Sequence, residues 1–266
     1  MKMDIPAERH VRILQLLKDK GIVRVDELSR DLDVSVITVR RDLASMESDG
    51  LLERTHGGAI SANVKINEPS YLDKGRQNVS IKTVIARKAA ELIEQGETIF
   101  INSGSTTSLV LRELVSIPRL TIITNNVGAL HNLEAGSDID LILTGGSLRA
   151  GTGCLVGEDA LSRLSMSFPA TTIIGVDGIS FRRGLTSHNP HEAAVTRKMI
   201  EQTSGRVILV ADSSKIGSLS LHHVCPLSAV SILITDSLPD SSMQEDFEAA
   251  GVQLIVLEDK KDQIKS

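Results

Sequence analysis

The stretch SVITVRRDLASMESDG, residues 35–50, carries the strongest structural signal in this chain. Read as a helix, it puts apolar side chains at spacings of three and four, the pattern of a face buried against neighbouring helices: Val36, Val39, Leu43 and Met46. The hydroxyl of Ser35 is suited to accept a hydrogen bond from a first-turn amide. The stretch therefore predicts an amphipathic helix that begins after Ser35.

The opposite face of this helix is small, polar and cationic, with Asp42 as one acid close by. A major groove admits such a helix, because arginine can pair with guanine edges or phosphates and methyl groups can contact thymine. The N-terminus of a helix also favours a phosphate. The residues of this helix predicted to contact DNA are Ser35, Ile37, Thr38, Arg40, Arg41 and Ser45.

Patterns on both sides of the helix complete a winged helix-turn-helix. Residues 5–20 and 25–32 predict two preceding helices, with Asp33-Val34 as a turn. Residues 51–59, LLERTHGGA, predict a hairpin whose glycine pair permits a tight turn. Arg54 and His56 of this wing could reach the DNA backbone or the minor groove. An ordinary helical bundle with solvated arginines stays open, because residues 1–59 carry no broad basic patch.

Length and composition agree with more than one domain. The chain has 266 residues, 41% of them hydrophobic. It has no long apolar run and no basic-then-apolar N-terminus, so we expect no membrane segment or signal peptide. Cys154 and Cys225 are far apart and form no CxxC motif, which suits a reducing compartment. We therefore expect a cytoplasmic protein, whose net charge of -5 repels DNA except where the arginines concentrate.

The rest of the chain predicts a second domain of a different class. Residues 1–60 are assigned to the DNA-binding domain, 61–71 to a polar linker and 72–260 to the second domain. Apolar strands alternate with amphipathic helices, the first helix spanning about residues 80–94. The predicted strands are 98–101, 120–124, 140–144, 171–176, 206–211, 230–235 and 253–257; the other predicted helices are 106–115, 127–133, 158–164, 190–201 and 241–250. This alternation predicts a Rossmann-like α/β domain with a mainly parallel sheet.

Ligands of such sheets bind beyond the carboxyl ends of the strands, so the segments that follow the strands form the candidate site. Residues 102–107, NSGSTT, follow the first strand and open a helix; their glycine, amides and hydroxyls suit a phosphate. A capped strand-to-helix turn is the alternative. The segment has neither a Walker lysine nor GxGxxG spacing, so no nucleotide cofactor is predicted.

The other strand ends also carry polar or glycine-rich turns. Each alone is explained as a turn, a cap or a solvated charge. Their convergence at one sheet edge favours a small phosphorylated sugar or polyol as effector. The predicted effector-binding residues are Asn102, Gly104, Ser105, Thr106, Thr107, Thr124, Asn125, Gly145, Gly146, Arg149, Asp177, Glu192 and Lys215.

Residues 8–59 resemble the N-terminal domain of the DeoR family of bacterial transcription regulators. The matching segments are Glu8-Arg9, Val25-Asp26-Glu27-Leu28, Ser35 with Thr38-Val39-Arg40-Arg41-Asp42-Leu43, and Arg54-Thr55-His56-Gly57-Gly58-Ala59. Residues 80–257 are similar to the family's C-terminal sensor, which itself resembles sugar-phosphate isomerases.

The resemblance implies a repressor of a carbohydrate operon that binds operator DNA and answers to a sugar phosphate. It also implies that residues 104–107 hold the phosphate, while Asp177, Glu192 and Lys215 line the sugar end. The family often has aspartate where this chain has Asn102. We further expect a homo-oligomer that reads two half-sites, and no cofactor.

Two other functions stay open. In an isomerase, Asp177 or Glu192 would move a proton while Lys215 stabilises an enediolate; a fused DNA-reading domain favours a sensor that only holds its ligand. A metal sensor would use histidines and a cysteine. Pro190 and the scattered positions of these side chains make them better candidates for polar loop residues, so no metal is predicted. Those side chains are His188, His191, His222, His223 and Cys225.

Overall fold

The computed structural model describes residues 5–20, 22–55, 57–61, 63–64, 70–132 and 137–257. Its N-terminal domain consists of α1 (Pro6–Lys20), β1 (Ile22–Arg24), α2 (Val25–Asp31), α3 (Val36–Ser48), β2 (Leu52–Thr55) and β3 (Gly58–Ser61). Ser35 Oγ accepts a hydrogen bond from the Thr38 amide at 3.2 Å, so α3 begins where the sequence predicts. The predicted winged helix-turn-helix is confirmed.

The wing contains one strand more than predicted. β1 pairs with β3, which also pairs with β2, and both pairings are antiparallel. Because side chains alternate across a sheet, Val23, Leu52 and Ala59 enter the core of the three helices, whereas Ile22 and Ile60 lie on the other face. The wing sheet therefore has an inner face, toward its own helices, and an outer face.

The sequence places Asp42 close to the exposed side of α3, but in the structure its side chain does not lie there. It is buried and forms two hydrogen bonds with Arg9 of α1, from Nε to Oδ2 at 2.6 Å and from NH2 to Oδ1 at 2.9 Å. A buried carboxylate needs such a charged partner. Asp42 therefore ties α3 to α1 and takes its negative charge away from the exposed side of α3.

The C-terminal domain carries the remaining elements. Its strands are β5 (Thr98–Ile101), β6 (Leu120–Thr124), β7 (Ile139–Leu143), β8 (Ser147–Arg149), β9 (Cys154–Val156), β10 (Thr171–Ile174), β11 (Gly178–Ser180), β12 (Gly184–Ser187), β13 (Arg206–Val210), β14 (Ser218–Leu219), β15 (His222–Cys225), β16 (Ile232–Thr235) and β17 (Gln253–Val256), with β4 (Asn63–Val64) before them. Its helices are α4 (Tyr71–Arg76), α5 (Val79–Ala90), α6 (Ser105–Leu114), α7 (Glu158–Leu164), α8 (Pro190–Gln202) and α9 (Met243–Ala249).

The central sheet has the order β17-β16-β13-β10-β5-β6-β7 and is parallel at each of these pairings. All seven strands correspond to predicted strands, with ends that differ by no more than two residues. α5 and α6 pack on one face of the sheet, while α7, α8 and α9 pack on the other. The predicted Rossmann-like α/β class is confirmed.

Short antiparallel pairs were not predicted. β8 pairs with β9, and β12 lies between β11 and β15. β4, inside the segment interpreted as a linker, pairs in parallel with β14. The segment predicted as a helix at 127–133 forms a 3-10 helix, Val127–Asn132. In the part of the chain that the structure describes, no helix is both long and apolar enough to cross a bilayer.

Candidate functional site

The side of α3 that the sequence predicts to contact DNA is largely solvent-exposed. Ser35, Arg40, Arg41 and Ser45 are exposed, and Ile37 has 79% of its surface accessible. Thr38 is half-buried, and its hydroxyl is 2.9 Å from that of Ser35. The exposed arginines and the protruding apolar side chain are available to base edges and phosphates.

The wing contributes one described residue of the predicted DNA face. Arg54 is exposed, its amide donates to Glu47 Oε1 at 3.0 Å, and its guanidinium is 3.9 Å from Glu47 Oε2. Arg54 is therefore held beside the last turn of α3. His56, the second predicted wing contact, lies outside the described residues.

A polar cavity lies beyond the carboxyl ends of β5, β6, β10 and β13, at the edge predicted for the effector. Eight predicted residues line it: Asn102, Gly104, Ser105, Thr106, Asn125, Asp177, Glu192 and Lys215. Residues that were not predicted join them, including Tyr71, Lys74, Ser103, Thr152, Ser187 and Thr196.

Five predicted residues are not among those that line the cavity. Thr107 and Thr124 are fully buried, and their hydroxyls bond the Gly104 carbonyl and the Asn126 amide. Gly145 and Gly146 have φ of 71° and 100° and form the turn after β7, the edge strand, away from the central strands. Arg149 acts indirectly, because its guanidinium pairs with Glu192.

Asn102 and Asn125 line the cavity, but their amide groups are engaged by protein atoms. Asn102 accepts from the Gly175 amide at 2.9 Å and donates to the Gly175 carbonyl and to Thr196. Asn125 accepts from the Ser103 amide at 2.8 Å and donates to Cys154 Sγ and the Leu155 carbonyl. Both therefore shape the loops at the sheet edge, a role that strand position alone does not reveal.

Asp177 is the centre of one charged group in the cavity. It accepts from Lys74 Nζ at 2.7 Å and from the His188 amide at 3.0 Å, and His188 Nδ1 lies 3.4 Å away. Burial on its own would raise the pKa of Asp177, but Lys74 and His188 outweigh it and lower the pKa to about 2. Asp177 is therefore an anion, able to accept hydrogen bonds from ligand hydroxyls.

Glu192 forms the second charged group, at the start of α8. Its Oε1 accepts from Thr152 Oγ1 at 2.8 Å and from Arg149 NH1. Arg149 is the last residue of β8 and Thr152 lies in the turn that leads to β9, so this hairpin positions the carboxylate at the cavity. A ligand hydroxyl that reaches Glu192 would meet an oxygen already oriented by two donors.

Lys82 of α5 places a buried cation beside the first turn of α6. Its side chain donates to the Lys74 carbonyl at 2.6 Å and to Ser105 Oγ at 3.2 Å, two neutral oxygens. Burial lowers the pKa of Lys82. The first amides of α6 lack partners within the helix, so this corner joins amides, hydroxyls and a lysine, the groups that bind phosphate. Neither Lys82 nor Lys74 was predicted, because a lysine on a helix is normally solvated.

The five residues of the alternative metal site do not converge. His188 is buried and bonded to Ser220, whereas His191 and His223 are exposed. Within the described ranges, no group of three or more His, Cys, Asp and Glu side chains is arranged to hold a metal ion.

Comparison with known proteins places both domains in one family. Residues 9–65 match the profile described as a DeoR-like helix-turn-helix domain, and residues 77–237 match the DeoR C terminal sensor domain. The glycerol-3-phosphate regulon repressor of Escherichia coli is 35% identical over 238 residues, covering 90% of this chain and 94% of the relative. The regulator GlpR of Haloferax volcanii is 35% identical, with coverage of 94% and 98%. The repressor GlcR of Bacillus subtilis is 34% identical, with coverage of 94% and 96%.

Solved structures give weaker similarities. Ribose 5-phosphate isomerase from Plasmodium falciparum aligns with a TM-score of 0.38 and 18% identity, over 52% of this chain and 53% of the enzyme. The relatives are named as regulators, which confirms the interpretation as a DNA-binding regulator over that of an isomerase. The chain belongs to the DeoR family of transcriptional regulators.

Proposed function

We propose that the chain represses a carbohydrate or polyol operon and that a phosphorylated sugar or polyol in the cavity controls it. The observation that carries this proposal is the first turn of α6, which lines the same cavity as Asp177 and Glu192 and is backed by Lys82, whose Nζ lies 3.2 Å from Ser105 Oγ. A cation and helix amides suit a phosphate, whereas carboxylates suit hydroxyls. The names of relatives support the same class, since one is a glycerol-3-phosphate regulon repressor.

The operator would be read by the exposed side of α3. Ile37, Arg40 and Arg41 are the candidates for base contacts, and Ser35 and Thr38 for phosphates at the helix start. Arg54 would contact the backbone from the wing. In a symmetric oligomer, two such domains would read two half-sites, and the protein would act in the cytoplasm, where its DNA lies.

A ligand screen tests the effector. We expect a phosphorylated sugar or polyol to raise the thermal midpoint of the purified chain, because a ligand that binds the folded state stabilises it. The panel includes glycerol 3-phosphate, sugar phosphates and each unphosphorylated counterpart. A thermal midpoint raised equally by phosphorylated compounds and by their unphosphorylated counterparts would contradict the assignment of a phosphate.

Lys82→Gln tests the corner itself. Removing the cation beside Ser105 is expected to weaken binding of the phosphorylated ligand at least about tenfold while operator binding without ligand is retained. Operator DNA for this assay comes from selection out of a random duplex pool. Lys88→Gln is the matched control: Lys88 lies on the same helix, is half-exposed, pairs with Glu91 and does not line the cavity, so this variant should bind ligand like the wild type. Equal ligand affinity in Lys82→Gln would remove Lys82 from the site.

A further inference from the structure

The outer face of the wing sheet packs directly against the sensor domain. Ile60 of β3 belongs to the same buried cluster as Ile179 and Ile216. Gly217, with φ of 76°, lets Ile60 approach, because an added Cβ there would lie 2.5 Å from Ile60 Cδ1. The wing therefore shares an apolar contact with the sensor, and we refer to this contact surface as the seam.

Polar groups extend the seam on both sides of Ile60. Ser180 Oγ of β11 donates to Glu53 Oε1 of β2 at 2.5 Å. Arg24 of β1 donates from Nε to Asp240 Oδ2 at 2.9 Å. At the wing turn, a Cβ on Gly57 would lie 3.3 Å from Ser242 Cβ, next to α9. Three strands or turns of the wing are thus fixed to the sensor.

The seam leaves buried polar atoms without partners. Among the described residues, Glu53 Oε2, Thr55 Oγ1 and Ser242 Oγ make no hydrogen bond. Burial also raises the pKa of Glu53, so its negative charge is poorly compensated. Unsatisfied buried polar groups cost free energy that hydration on opening would return. The seam is therefore a contact that can separate.

The seam is connected to the cavity through two short chain segments. Asp177 lines the cavity and immediately precedes β11, whose last residue is Ser180. Lys215 also lines the cavity, two residues before Gly217. A ligand that moves Asp177 or Lys215 therefore acts on chain that touches Glu53 and Ile60.

We propose that the seam is an autoinhibitory contact, which is closed in this structure and must open for tight operator binding. When it is closed, the Arg24 cation is paired with Asp240, and the wing turn lies beside α9, whose first turn carries Glu245 and Asp246. While Arg24 is paired with Asp240, its cation is not available to a DNA phosphate. The further step, that the cavity ligand favours the closed seam, rests on the proposed function.

A disulfide across the seam tests the proposal without any effector. The double variant Gly57→Cys with Ser242→Cys brings two Cβ atoms to about the separation that a disulfide needs. We expect the oxidised protein to bind operator at least about tenfold more weakly than the same protein after reduction, because the closed state is then fixed. The two single variants and the wild type, whose Cys154 and Cys225 are buried, are oxidised in parallel as controls.

Two outcomes would overturn the proposal. One is equal operator affinity of the oxidised and reduced double variant. The other is failure of the disulfide to form, because the closed seam puts the two positions in reach. Neither outcome bears on the ligand screen, so the effector assignment is tested separately.

Asp240→Asn provides an independent variant that adds no cross-link. It weakens the hold on Arg24 and should raise operator affinity about two- to fivefold, the range expected for a partly exposed ion pair. Glu158→Gln, the same change of charge on the exposed start of α7, is the control and should have no such effect. Unchanged or weaker operator binding by Asp240→Asn would also overturn the proposal.

Discussion

Arg41 offers the simplest residue-scale test of how this regulator reads DNA. It is exposed on α3, and no acid of that helix shares its face, since Asp42 is turned inward to Arg9. Arg41→Ala should weaken operator binding by about 1–3 kcal/mol if the side chain reads a base. A gel-shift titration at fixed salt measures the change, with Arg12→Ala on exposed α1 as the control. Unchanged affinity would exclude Arg41 from the contacts.

Asp177 should make stability depend on pH in acid. Its pKa is lowered to about 2 in the folded chain, from 3.8. The charged form is therefore favoured by folding, and its stabilisation is complete above about pH 4 and is lost as the pH falls toward 2. Urea unfolding from pH 5 to 2 should show a steeper loss for the wild type than for Asp177→Asn. The control is Asp140→Asn, at an exposed residue of β7, which should lose stability with falling pH as steeply as the wild type.

Residue types after the strands predicted much of the cavity, but not what each side chain does there. Asp177, Glu192 and Lys215 line it because the carboxyl ends of parallel strands meet at one edge. Asn102 was predicted to bind the effector and does line the cavity, but its amide joins β5 to the end of β10. Lys82 was missed because its burial depends on how α4 and α6 pack against α5, which the pattern of α5 alone does not show.

At the scale of elements, the contact between α1 and α3 depends on one buried ion pair. Arg9 and Asp42 each expose 7% of their side chains. Arg9→Met leaves the carboxylate buried without this partner and should lower the free energy of unfolding by about 3–5 kcal/mol. Combining it with Asp42→Leu should restore most of the loss, because no buried charge remains. Chemical denaturation measures both, and Arg12→Met serves as the exposed control.

A loss in Arg9→Met that the double variant does not recover would contradict this account. It would mean that the arginine stem, and not its charge, holds α1 on α3. His10, with Nε2 3.6 Å from Asp42 Oδ1, is the neighbour that could reduce the loss in the single variant.

A strand or helix could be predicted from the sequence only where its own residues carry a periodic hydrophobic pattern. β5 and β6 are apolar, β-branched runs, and their ends match the prediction. β1 and β11 have three residues each, too few for a periodic signal, and they form only through pairing with strands elsewhere. Two of the strands that make the seam, β1 and β11, are therefore ones that local sequence cannot predict, whereas β2 and β3 belong to the predicted hairpin.

At the scale of the whole molecule, two ligands act on one chain. If the cavity ligand lowers operator affinity by some factor, operator DNA must lower ligand affinity by the same factor, because the two bindings share one thermodynamic cycle. The path from Asp177 to Ser180 and Glu53 gives this coupling a physical route in the structure.

The reciprocity can be measured with the phosphorylated compound found by the ligand screen. We expect a coupling of about 5–150-fold, obtained once from operator titrations at saturating ligand and again from ligand titrations at saturating operator. Because Ser180→Ala removes the hydrogen bond to Glu53 at the seam, it should reduce both factors together while the cavity side chains are unchanged. Ser165→Ala, on an exposed turn after α7, should leave both factors as they are. A change in one coupling factor without the other would violate the thermodynamic cycle. A coupling in Ser180→Ala equal to that of the wild type would show that the signal does not pass through this hydrogen bond.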